Sequence, residues 1–78
     1  KTAVSFLQEW CAYKGKGRPL YEERDAPLQE ALALRKPFQC VVSVADVDQH
    51  FSALGENKKI ARQAAAEAAL LALAPDLW

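Results

Sequence analysis

The chain has 78 residues, 51% hydrophobic and 26% charged, which suits one globular domain around one core and excludes a multidomain reading. At this size only about 60% of the unfolded surface is buried, which leaves little room for a deep substrate cleft beside the core, so a free-standing enzyme is not expected. Ten basic residues balance ten acidic ones; no global charge draws the chain to nucleic acid or anionic lipid, and such binding has to come from a local patch.

The opening Lys1-Thr2-Ala3 has neither an initiator methionine nor a signal-peptide profile, and no apolar run approaches the roughly 20 residues of a membrane span. The expectation is a single domain over residues 1–78, taken from a longer nuclear or cytoplasmic protein. From Thr2 to Lys14, Val4, Leu7 and Cys11 recur at helical spacing, with Phe6, Trp10 and Tyr13 as a second stripe. Gly15 and Gly17 end this helix, and Lys14, Lys16 and Arg18 cluster where cations suit the dipole. Pro19 opens a half-exposed strand, Leu20 to Asp25, with Leu20, Glu22 and Arg24 on one face and Tyr21, Glu23 and Asp25 on the other.

Residues 26–36, fenced by Pro27 and Pro37, carry Leu28, Ala31, Leu32 and Arg35 at helical spacing and read as a long loop with a helical turn. Exposing Leu28, Leu32 and Leu34 forgoes up to about 1.5 to 3 kcal/mol of burial each. They should either fold back on the domain, the simpler expectation, or meet a protein partner. Phe38 to Val44 is rich in β-favouring residues and reads as a central strand, followed by a third around Val47 to Ala53. Gly55 breaks the chain, Asn57 is a plausible N-cap, and Lys58 to Leu73 contains neither Gly nor Pro. That second helix turns Ala61, Ala65, Ala68, Ala69 and Ala72 to the core, with Leu70 and Leu73 filling its far end. The order α-β-β-β-α predicts an α+β fold: a three-stranded antiparallel sheet with two helices packed on one face.

Catalytic and metal chemistry find little support. Cys11 and Cys40 lie among apolar neighbours, in no CxxC spacing and with His50 as the sole histidine, so they read as reduced, buried thiols. No metal or cofactor is expected. Glu22, Glu23 and Asp25 lack a histidine or second cluster to work with and read as a solvated strand face. Trp10 and Tyr13 belong by spacing with Leu7 and Phe6 in the core, and His50 reads as a strand residue near the surface.

The informative stretch is Gly55-Glu56-Asn57-Lys58-Lys59-Ile60-Ala61-Arg62. Two lysines in the first turn of a helix oppose the positive end of the macrodipole, at a cost of some tenths of a kcal/mol each, so an anion should compensate them. Free backbone N–H groups make a helix start a phosphate site, and Lys58, Lys59 and Arg62 would add three cations to it.

In element order and in four successive fragments the chain resembles a double-stranded RNA-binding domain. The fragments are Leu7-Gln8-Glu9-Trp10-Cys11, Pro19-Leu20-Tyr21-Glu22, the strand Phe38 to Val44, and Lys58-Lys59-x-Ala61-Arg62-x-x-Ala65-Ala66. The opening is similar to the first such domain of RNA helicase A type helicases and to that of tRNA dihydrouridine synthases. Gly55-x-Asn57-Lys58-Lys59-x-Ala61 is similar to domains of RNA-editing adenosine deaminases. The resemblance implies non-catalytic recognition of A-form duplex by shape, across two minor grooves and the phosphates between them, over about 16 base pairs. It assigns Ser5, Gln8 and Glu9 on the first helix to 2′-hydroxyls and base edges, and Lys58, Lys59 and Arg62 to phosphates. The family's Gly-Pro-x-His loop between the first two strands is absent. Arg35 and Lys36 stand where a substitute contact to the second groove would arise. With zero net charge these departures predict modest affinity. The rival function is a protein-interaction or dimerisation module on the same fold, through Leu28, Leu32 and Leu34.

Overall fold

A computed structural model describes residues 2–78. Helix α1 spans Ala3–Tyr13, strand β1 Leu20–Asp25, helix α2 Leu28–Leu34, strand β2 Phe38–Ser43, strand β3 His50–Gly55 and helix α3 Lys58–Leu73. The strands form one antiparallel sheet in the order β1-β2-β3. Apart from the short α2 inserted between β1 and β2, this is the expected α-β-β-β-α arrangement. Among the described residues no helix is long and apolar enough to cross a membrane.

Local chemistry sets each boundary. Thr2 caps α1, its Oγ1 accepting from the Ser5 backbone N–H at 3.2 Å, and Gly15 and Gly17 leave the helix at φ +70° and +75°, where a side chain would be strained. Strand β3 starts later than its sequence suggests because a turn consumes the residues before it. Asp46 adopts φ 66°, and the Val47 N–H closes onto the Val44 carbonyl at 3.2 Å.

The core lies between the sheet and the helices. Leu7 and Cys11 of α1, Cys40 and Val42 of β2, and Ala61, Ala65, Ala66, Ala69 and Leu70 of α3 are buried in one cluster. Helix α3 covers chiefly β2 and β3, and α1 rests mainly against α3. Alanines let α3 approach the sheet closely, as expected, although the face is rotated from the predicted one: Ala66 is buried, Ala68 half-buried and Ala72 exposed. Tyr13, expected in the core, is 81% exposed at the last position of α1. Both cysteines are free and buried, and burial pushes both thiols above their ordinary pKa.

The region between β1 and β2 is more ordered than a loop. Pro27 supplies a fixed φ of −53° at the start of α2, every residue from Leu28 to Leu34 is a strong helix former, and Arg35 ends the helix in the left-handed region. Helix α2 buries none of its residues, and Leu28, Leu32 and Leu34 are 74%, 71% and 55% exposed. The expectation that these leucines fold back on the domain is therefore corrected: the seven-residue helix, set off by Pro27 and Pro37, stands clear of the core. Replacing Leu28 and Leu32 together with Ser should lower the melting temperature by no more than about 8 °C, the ordinary range of two surface substitutions. A larger drop in a thermal melt would mean that they pack on the domain after all.

Candidate nucleic-acid interface

The basic end of α3 is held by three local devices. Asn57 caps the helix, its Oδ1 accepting from the Ile60 N–H at 2.9 Å. Gly55, buried at the end of β3, brings the backbone directly against Ala61. Gln63 accepts the Val4 N–H on its Oε1 at 3.2 Å, tying the first turn of α1 to the second turn of α3. The N-terminal ends of both helices are therefore neighbours.

Between them opens a cleft lined by Thr2 and Val4 of α1, Glu23 of β1, and Lys58, Lys59, Arg62 and Gln63 of α3. The structure thus gathers the three cations proposed from sequence, and all are exposed. Lys58 and Lys59 project from the helix start, where the backbone dipole adds to their charge. Arg62 lies lower, with its guanidinium 5.6 Å from the Tyr21 ring centroid and donating to the Glu23 carboxylate. The Tyr21 hydroxyl is buried without a hydrogen-bond partner among the described residues. Its pKa is pushed up to about 12, first by burial and then by the nearby Cys40 and Cys11. It stays neutral at physiological pH.

Ser5, Gln8 and Glu9 are exposed on α1 at helical spacing, on one face. Ser5 is also part of the cap, its Oγ accepting from Thr2 Oγ1 at 3.1 Å, and Glu9 borders a shallow apolar groove with Phe6, Trp10, Tyr13 and Leu77. Arg35 and Lys36 are exposed and stand apart from the cleft, in the connection between α2 and β2. The sheet register relates them to it: Asp25, Phe38 and Gly55 pair across one end of the sheet, so this connection and the start of α3 emerge at the same end.

Sequence reasoning missed Glu23. It is no solvated strand residue: its side chain is 25% exposed and engages Arg62, 39 positions away. Strand alternation carried a hint, since it puts Glu23 on the face of Tyr21, toward the helices, whereas Glu22 points out and pairs with Arg24 at 2.7 Å. His50 is exposed as expected and joins Ser43 at 2.7 Å on the outer sheet face.

Comparison with known proteins agrees with this geometry. The sequence profile of the double-stranded RNA binding motif matches residues 3–73. Among solved structures, a mutant of the human tRNA dihydrouridine synthase (20) dsRBD superposes with a TM-score of 0.74 at 30% identity, over 95% of this chain and 72% of that one. A second structure, of a tRNA-dihydrouridine(20) synthase dsRBD domain, gives 0.73 at 31% identity over 94% and 71%. No curated protein matches. With the α-β-β-β-α order, the capped basic start of α3 and a motif match spanning nearly the whole chain, this protein belongs to the double-stranded RNA-binding domain family.

Proposed function

We propose that the chain binds A-form RNA duplex by shape, phosphate and 2′-hydroxyl contacts, without catalysis and with little sequence selection, within the nucleus or cytoplasm. The observation that carries this reading is the cleft that Lys58, Lys59 and Arg62 line together at the N-terminal end of α3. A phosphate there would meet the helix N-terminus and three cations together. Ser5, Gln8 and Glu9 on the neighbouring helix would reach the adjacent minor groove, where an A-form duplex offers 2′-hydroxyls at every step. Arg35 and Lys36, at the same end of the sheet, would supply the second-groove contact.

The test is competition between RNA and DNA duplexes of equal sequence, about 20 to 30 base pairs long. RNA should win by about tenfold or more; equal affinities would reduce the interaction to phosphate attraction. A second reading, protein interaction, is favoured by the uncovered leucines of α2. It expects Leu28→Ser with Leu32→Ser to abolish self-association or a protein contact while leaving RNA affinity unchanged.

A further inference from the structure

A carboxylate among three cations is out of place in a phosphate cleft built only for affinity. Glu23 lines the cleft from β1. Its strand turns it toward the helices beside Cys40, its side chain is 25% exposed against 69% for Glu22, and it holds the guanidinium of Arg62. The Tyr21 ring covers another side of that guanidinium. Arg62 therefore reaches the cleft already partnered, whereas Lys58 and Lys59 carry no comparable partner among the ion pairs described.

We propose that Glu23 is an internal anionic competitor for the phosphate cleft, and through it a specificity-determining residue. The inference rests on the cleft as an anion site. A phosphate entering it gains Lys58 and Lys59 fully but shares Arg62 with Glu23 and is repelled by the remaining negative charge. At separations of several ångströms in a half-exposed site that repulsion is large enough to change affinity severalfold. The discount applies to every polyanion. An RNA duplex recovers the loss through contacts from α1, while a ligand that offers only charge does not. Glu23 so trades affinity for discrimination, in agreement with the zero net charge of the chain.

Glu23→Gln tests this, because the amide keeps the shape and an acceptor for Arg62 while removing the charge. Binding of RNA duplex and of heparin, a polyanion without A-form grooves, is measured by fluorescence anisotropy. The controls are Glu22→Gln, with the same change of net charge on the outer sheet face, and Glu23→Gln in an Arg62→Gln background. Glu23→Gln should tighten RNA binding about threefold and heparin binding about tenfold. Glu22→Gln should change either by less than about twofold, and the gain from Glu23→Gln should persist in the Arg62→Gln background, where Glu23 repels the ligand without its counter-charge. Should Glu23→Gln impair folding, Glu23→Thr, a neutral strand former, replaces it. Unchanged or weaker binding of both polyanions, or an equal gain from Glu22→Gln, overturns the proposal. RNA binding that persists without the gain leaves the RNA reading standing and removes the competitor. Gain on heparin by a protein that binds no RNA does the reverse.

Discussion

Replacing Lys58, Lys59 and Arg62 together with Ala should reduce duplex RNA affinity by at least about a hundredfold and leave a folded domain. Each phosphate contact contributes close to one unit to the salt slope, so the wild-type affinity should fall with log salt at about −2 to −3, and the triple variant's slope should be near zero. Lys59→Ala alone should remove about one unit. The fold has little stake in these side chains: all three are exposed, alanine is the better helix former, and the half-exposed pair of Arg62 with Glu23 contributes at most about 1 kcal/mol. Circular dichroism verifies the fold, and a titration across salt concentrations reads the slope. A folded triple variant with wild-type affinity would remove the phosphate role from α3.

The second large effect comes from a position that carries no chemistry. A Cβ on Gly55 would lie 2.4 Å from the backbone nitrogen of Ala61, 2.8 Å from its Cα and 3.0 Å from its Cβ. Backbone atoms cannot swing aside as a flexible side chain does, so Gly55→Ala has to push α3 away from the end of β3. Overpacking of this kind costs about 1 to 3 kcal/mol, a fall of about 5 to 20 °C in melting temperature for a domain of this size. RNA affinity should fall as well, because Lys58 and Lys59 ride on the displaced turn. Gly17→Ala provides the contrast: nothing lies within 4 Å of its Cβ, and only the left-handed backbone at φ +75° resists, at about 1 kcal/mol. A thermal melt in which the two variants lose the same stability would show that the β3–α3 approach is looser than these distances require.

What was legible in the sequence was local. Asn57 followed by sixteen residues without Gly or Pro gave α3 its limits, and the alternation from Leu20 to Asp25 gave β1 both its extent and its faces. The three cations of the cleft could be named because they sit within one and a half turns of one helix. What escaped notice depends on pairs distant in the chain. The rotation that buries Ala66 instead of Ala72 is set by how α3 meets α1 and the sheet. Glu23 looks solvated until β1 is placed beneath Arg62. Helix α2 was obscured differently: its prolines signal interruption, and the first of them in fact begins a helix.

The buried face of α3 has a mechanical consequence. Ala61, Ala65, Ala66 and Ala69 have no rotamers, so their contacts have nothing to rearrange and lose no side-chain entropy on burial. A helix seated on leucines or methionines can settle at several heights as those side chains repack; one seated on methyl groups stands where main chain meets main chain. Along the alanine stretch, the height of α3 over the sheet is thereby set by main-chain approach more than by side-chain repacking.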